Sequence, residues 1–419
     1  MDHPEAQRAF ATDVVRQLRD ANYDALWAGG CVRDRLLGRQ PKDYDIATSA
    51  RPEQVRELFG RKRTLAIGAA FGVISVLGHK RVDPIEVATF RSDGNYLDGR
   101  RPEQVTFTTA EEDAQRRDFT INGLFYDPLG DRLIDYVDGE RDLRAGLVRA
   151  IGDPSARFTE DKLRMLRAVR FATTFEFAID ETTRDAIRSM ADEVTVVSAE
   201  RIGVELRKTL IHPNRSQGVR LLHETALLHP LLPALDQLAT DHAVAWQAVL
   251  TRLQRLETTS LAAAFAALLF QNADSSSIRG LARGFRYTNK EVDRVAWLVE
   301  QLPLVEQAAD LPWPRLQRVL VHEGAPELLA VSTACWGAEH SGVRTCRTRL
   351  AMPIEELNPP LLLTGDDLVA QGLRPGKYFG QLLEELRDAQ LEQKVETRSQ
   401  ALDWVDRWLA DHPSLGKRP

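Results

Sequence analysis

Apolar positions along this chain change their rhythm near residue 150. Residues 1–22 place them at three- and four-residue intervals, the period of one helical face. From 23 to 150, short apolar runs alternate with polar, glycine-bearing segments. Ala25-Leu26-Trp27-Ala28 and the stretch beginning at Ile85 are two such runs, and the pattern predicts strands interleaved with helices. Beyond 151, long amphipathic helical patterns dominate, with breaks near Pro213, Pro230 and Pro233. Residues 353–360 read as a linker, marked by Pro359-Pro360, and 381–391 form a further helical pattern. These changes predict an α+β chain, mixed to about residue 150 and helical beyond, with a linker at 353–360 and no internal repeat.

Chemistry concentrates in the first part. Gly29-Gly30 follows the Ala25–Ala28 run, where glycines let a backbone approach a bulky anion and turn N–H groups toward it. A helix is expected next, with Arg33 in its first turns adding a cation to an end that already favours negative charge. Asp43 and Asp45 sit two apart in an extended segment, so alternation sends both carboxylates to one side. Alone, such a pair is ordinarily a solvated strand edge, and a lone Gly-Gly is ordinarily a turn. Together, in this order, they fit Mg²⁺ bound by hard oxygen ligands beside a triphosphate. No Gly-Lys-Ser/Thr phosphate loop and no Gly-x-Gly-x-x-Gly fingerprint is present.

Glu86 opens a second strand pattern that would bring a third carboxylate to the metals, although a Glu there is more often a surface residue. Residues 92–102, rich in Gly, Asp and Arg, read as a mobile loop able to close over a substrate. A helix is expected to begin at the acidic cluster 111–113. Arg117 on it is a candidate phosphate contact through its guanidinium fork. Asp118 and Asn122, four apart, would share a face and hydrogen-bond a ribose; an intrahelical polar pair fits the same spacing. Residues 160–171 predict another helix with Asp161 and Arg164 on one face. A carboxylate and a guanidinium there could read the pairing edge of a base, with Arg167 and Arg170 reaching phosphates. A salt-bridged amphipathic helix gives the same pattern.

The remaining composition narrows the class. Across 419 residues the net charge is −6, charged residues make up 28% and aromatics 7%, as in a helix-rich soluble protein. No apolar run reaches the roughly 18–20 residues that span a membrane, and the first residues lack a secretory layout. Cys31, Cys335 and Cys346 have no metal-ligand spacing, which favours a reduced, cytoplasmic setting. His223 and His229, six apart, are off the helical ligand spacing and read as packing residues. The acidic balance does not advertise nucleic acid, but arginines are dense in the first half and could form a local patch.

The motifs GGCVRD, DYDIAT, IEVATFR, RRDFTINGL, IDYVDG, IGDPSARFTEDKLRMLRAVRFA and AERIGVELRKTL occur in an order that resembles class II bacterial tRNA nucleotidyltransferases and the similar bacterial poly(A) polymerases. The resemblance covers residues 20–235. It implies a polymerase-β-like nucleotidyltransferase head at 1–150, a helical neck at 151–235, a helical body at 236–352, and a helical, RNA-binding tail at 353–419. It implies Asp43 and Asp45 as Mg²⁺ ligands; Glu86 joins them as a catalytic candidate from its strand position alone. Gly30 and Arg33 would contact triphosphate and Arg117 the nucleotide. Asp118 and Asn122 would contact ribose. Asp161 and Arg164 would serve as an amino-acid template for CTP or ATP, with Arg167 and Arg170 as further nucleotide contacts. Arg201 and Glu205 would lie on a helix bracing the template helix. The 92–102 segment resembles the loop this family needs for adding the terminal adenosine.

The implied partners are tRNA 3′ ends, with CTP and ATP as substrates, and neither DNA nor a membrane. Full CCA addition, adenosine-only addition and poly(A) synthesis all remain open at this point, as does a non-catalytic RNA-binding protein on the same scaffold. The tail is shorter than that of a poly(A) polymerase. Some family members carry a phosphohydrolase with a His-Asp pair after an apolar helix. Here the apolar helix 261–270 is followed by Gln271-Asn272-Ala273-Asp274, so that pair is missing.

Overall fold

The computed structural model describes residues 3–68, 72–79, 82–93 and 105–412. They form two compact units, one of residues up to Leu250 with 284–286, the other of the remaining residues from Thr251.

The first unit opens with α1 (His3–Asp20), which buries Phe10, Ala11, Val14, Val15 and Leu18 on one face. β1 (Ala25–Ala28), α2 (Gly30–Leu36), β2 (Asp45–Thr48) and α3 (Pro52–Phe59) follow. Then come β3 (Thr64–Gly68), β4 (Val73–Val76), β5 (Ile85–Thr89), β6 (Arg91–Asp93) and β7 (Val105–Phe107). Next are α4 (Ala110–Gln115), β8 (Phe125–Asp127), β9 (Arg132–Ile134), α5 (Gly139–Ala145) and β10 (Leu147–Val148). Helical structure then takes over with α6 (Pro154–Glu160), α7 (Leu163–Phe175), the short β11 (Ala178–Ile179), α8 (Glu181–Met190) and α9 (Ala199–Leu210). Seven strands form one mixed sheet in the order β3-β4-β5-β2-β1-β8-β9, with β2 and β5 parallel. The α+β expectation is met: a sheet-bearing head precedes helices.

Register decides what the sheet presents. Ala28 pairs with Asp45, and Asp45 with Glu86, so these three residues share a face. Ala47 and Ala88, two residues on, share it as well. Small side chains on three adjacent strands keep this floor low beside the two acids. The opposite face carries Trp27, Ile46 and Tyr126, all buried.

Two expected helices differ in the structure. The helix expected from the 111–113 cluster ends at Gln115, and Thr120–Asn122 forms a separate 3₁₀ turn. The helix expected across 160–171 is broken at Asp161, whose backbone is extended (φ −148°, ψ 104°) and whose Oδ1 accepts from the Leu163 N–H. Aspartate competes for backbone donors in this way, which favours a helix boundary over a helix interior. Asp161 therefore lies between α6 and α7 and not on a shared helical face with Arg164. Of the 92–102 loop, Ser92 and Asp93 belong to β6, which pairs with β7; residues 94–102 lie outside the described residues.

His223 and His229 both reach Asp236, at 2.8 and 3.3 Å. In the second unit, helix Leu261–Leu269 is buried along its whole length. Residues 353–360 include a helical turn, Ile354–Leu357, and Gln317 donates to the Leu357 carbonyl. A leucine-rich cluster from Leu363 to Trp408 holds the last helices together. Among the described residues, no helix is long and apolar enough to cross a membrane.

Candidate active site

A cavity of 770 Å³ opens above the small-residue floor of the sheet. Gly30, Arg33, Asp43, Asp45, Glu86 and Arg117 line it, as do Asp118, Asn122, Asp161, Arg164, Arg167 and Arg170. All twelve residues singled out from the sequence thus border one space. Among the described lining residues, eight arginines and lysines face five carboxylates, a balance suited to a polyanion carrying a cation.

Asp45 opens β2, and Asp43 sits in the bend just before it. Both are exposed, while Tyr44 between them is buried. The Asp45 carboxyl is pushed up to about 6. Although Asp45 opens onto the cavity, protein on its other sides desolvates the carboxyl, and this is the main cause; the neighbouring Glu86 and Asp43 add to it, and Arg117 opposes it. A carboxylate crowded by like charges is primed to accept a cation. Among the described residues, no three acidic, histidine or cysteine side chains converge into a metal cage. A site of two carboxylates fits Mg²⁺, which typically takes one or two protein carboxylates and completes its shell with water and substrate phosphate.

The glycine turn is constrained on two counts. Gly29 has φ +67°, and a Cβ there would stand 2.8 Å from the Arg117 Nη1. Arg33, four residues on, is buried. It donates to Asn122 Oδ1 at 2.5 Å and to Asp34, and its guanidinium lies over the Phe175 ring at 4.4 Å. Arg117 donates to the Asn122 carbonyl at 3.1 Å and, through Nε and Nη2, to Asp113 Oδ2. Arg116 takes the other oxygen of Asp113. The buried Asp113 thus aims two adjacent arginines at once. Burial alone would raise its pKa, but Arg117 and Arg116 hold it below the usual carboxylate range. Sequence reading passed Asp113 over as part of an acidic cluster. Its spacing of three and four residues from Arg116 and Arg117 was the available signal.

Asp118 and Asn122 meet although no continuous helix joins them: the 3₁₀ turn brings the Asn122 amide to Asp118 Oδ1 at 3.0 Å. Asp118 Oδ2 accepts from Arg167 Nε at 2.8 Å and Nη2 at 2.6 Å. Burial works against the charged form of Asp118, yet Arg167 and Asn122 outweigh it and bring the carboxyl down to about 2. Arg164 donates to Glu160 and to the carbonyls of Arg157 and Arg116. α9 packs beside α7. Its Arg201 donates to Asp161 Oδ2 at 2.6 Å, and its Glu205 accepts from Arg170. Lys208, one turn further, also lines the cavity and was not anticipated. Cys31 is buried with its thiol directed at the Ala28 carbonyl. Burial pushes it up to about 12, so it stays an unreactive thiol.

Paired acids beside a glycine turn on a mixed sheet, walled by arginine-bearing helices, define a nucleotidyltransferase with a polymerase-β-like head. Residues 25–149 match the family described as Poly A polymerase head domain. Residues 176–238 match the probable RNA and SrmB-binding site of polymerase A, and residues 254–405 a putative tRNA nucleotidyltransferase domain 2. The CCA-adding enzyme of Enterococcus faecalis is 34% identical over 94% of this chain and 94% of its own length. That of Geobacillus kaustophilus is also 34% identical, over 94% and 95%. The crystal structure of the Bacillus stearothermophilus CCA-adding enzyme in complex with CTP superposes with a TM-score of 0.78 at 29% identity, covering 99% of this chain and 100% of that one. The Thermotoga maritima CCA-adding enzyme complexed with tRNA shares the fold (TM-score 0.67, 21% identity, 96% of this chain and 95% of that one). The chain belongs to the CCA-adding enzyme family. Divalent-metal use comes with that membership.

Proposed function

We propose that this protein completes tRNA 3′ ends with CCA, or with their terminal adenosine, from CTP and ATP, without a nucleic-acid template. The observation that carries this reading is the single cavity bordered by Asp43 and Asp45, the Gly29-Gly30 turn and the Asp161/Arg164 pair. The tRNA 3′-hydroxyl attacks the α-phosphate, a new P–O bond forms, and the bond to the β-phosphate breaks to release pyrophosphate. Asp43 and Asp45 would hold Mg²⁺, which stabilises charge on the attacking and leaving oxygens. Glu86, register-paired with Asp45, raises the negative charge that draws the cation. Gly30, Arg33 and Arg117 take the triphosphate, and Asp118 with Asn122 the ribose. Asp161 and Arg164 read the base edge, with the carboxylate accepting from an exocyclic amine and the guanidinium donating to ring acceptors. Arg167 and Arg170 supply further contacts to the nucleotide. Reduced, buried thiols at Cys31 and Cys346 suit work in the cytoplasm.

The test offers purified protein tRNA transcripts ending before CCA and after CC, with CTP alone, ATP alone, or both. Three added nucleotides on the first transcript mark a complete CCA-adding enzyme. A single adenosine, added only after CC, marks an adenosine-adding one. Long adenosine tracts on any RNA would replace this reading with poly(A) synthesis, and no incorporation with Mg²⁺ would overturn catalysis altogether.

A further inference from the structure

Of the two acids, only Asp45 is fixed by the sheet. Asp45 is held in register between Ala28 and Glu86, but Asp43 precedes the strand and lies outside the ladder. The residue between them, Tyr44, points to the opposite side and is 6% exposed. Its ring meets the edge of Trp27 with centroids 4.8 Å apart. Trp27 is 1% exposed and stacks on Tyr126 at 5.6 Å. The guanidinium of Arg35 covers the outer side of Tyr126 at 4.7 Å and donates to its hydroxyl at 3.0 Å. Four side chains, from α2, β1, β8 and the residue just before β2, thus form one column behind the catalytic floor. Edge-on and offset-stacked aromatic pairs of this geometry are attractive beyond the area they bury.

We infer that Tyr44, seated on the Trp27–Tyr126–Arg35 column, is the positioning residue that fixes the separation and direction of the Asp43 and Asp45 carboxylates, and so sets their affinity for a divalent cation. This rests on the proposed metal role of the two acids. Alternation makes the coupling direct: a Tyr44 ring that slides on Trp27 swings the adjoining Asp43 carboxylate relative to the sheet-held Asp45. The tyrosine hydroxyl has no part in it; the ring does.

The experiment titrates Mn²⁺, a paramagnetic substitute for Mg²⁺, into the nucleotide-free full-length protein and follows free Mn²⁺ by electron paramagnetic resonance. Tyr44→Ala and Trp27→Leu are expected to weaken binding about tenfold, as loss of outer support does for metal ligands. Tyr44→Phe, which keeps the ring, should stay within about twofold of wild type. A folded Tyr44→Ala protein with wild-type Mn²⁺ affinity overturns the inference. If that variant does not fold, Tyr44→Leu takes its place with the same expected loss and the same overturning result. Asp45→Ala separates the two levels: undiminished Mn²⁺ binding in that variant would overturn the metal site itself, and the column's role with it.

Discussion

Arg201 on α9 reaches Asp161 at the head of α7, placing Nη2 2.6 Å from Oδ2. A residue 40 positions away in sequence therefore sets the direction of the carboxylate proposed to read the base. A charge-assisted bond of this kind contributes about 1.5–3 kcal/mol. Arg201→Ala should lower kcat/KM for CTP and ATP at least about tenfold and blur the distinction between them, measured as the ratio of the two values. Arg164→Ala should blur it further without changing Mn²⁺ affinity. Unchanged CTP-to-ATP ratios in both variants would remove the base-reading role.

Gly29→Ala meets two penalties at one atom. Its backbone (φ +67°, ψ −119°) lies in a region that L-residues rarely adopt and costs them about 1–3 kcal/mol, and the new methyl would press on Arg117 Nη1. The variant should melt several degrees lower and show a raised KM for nucleotide, since Arg117 must shift. Differential scanning calorimetry and steady-state kinetics check the two halves separately.

The acid behaviour of Asp118 gives a stability test. Its carboxyl at about 2 lies below the ordinary value of 3.8, so its contribution is complete above pH 4 and fades as pH falls through 2. The gap corresponds to about 2 kcal/mol. Asp118→Asn should therefore be less stable than wild type at pH 7 by about that amount in urea unfolding, with the difference closing toward pH 2.

Asp45 runs the other way. Its carboxyl at about 6 is above the ordinary value, so the folded state prefers it protonated, and stability is lost as pH rises through 6. In metal-free protein at pH 8, Asp45→Asn should raise Tm while abolishing nucleotide incorporation, and the gain should shrink below pH 6. Added Mg²⁺ should raise the Tm of the wild type and not that of the variant. Wild-type incorporation by Asp45→Asn would sink the catalytic assignment.

The sequence carried the site further than it carried the local geometry. Gly29-Gly30 and Asp43-x-Asp45 are short-range patterns, and the sheet register places Asp45 beside Ala28 and Glu86, with Asp43 in the bend before the strand. The helices were less legible where a side chain overrides periodicity. Asp161 spends its oxygen on the Leu163 N–H and breaks a pattern that reads as one helix. The 116–122 stretch likewise trades helical turns for the Phe119–Ala150 bridge and a 3₁₀ turn. Asp113 and Tyr44 escaped notice because their roles lie in what they touch across the fold. Tyr44 meets Trp27, 17 positions earlier, only because β1 and β2 pair.

Six of the arginines around the cavity are already paired with an acid: Arg33 with Asp34, Arg116 and Arg117 with Asp113, Arg164 with Glu160, Arg167 with Asp118 and Arg170 with Glu205. An arriving nucleotide must court guanidinium groups that are spoken for, and a departing pyrophosphate leaves them with someone to return to. Such swapping of companions tempers the grip on any single anion, which suits a catalyst that has to reset after every round.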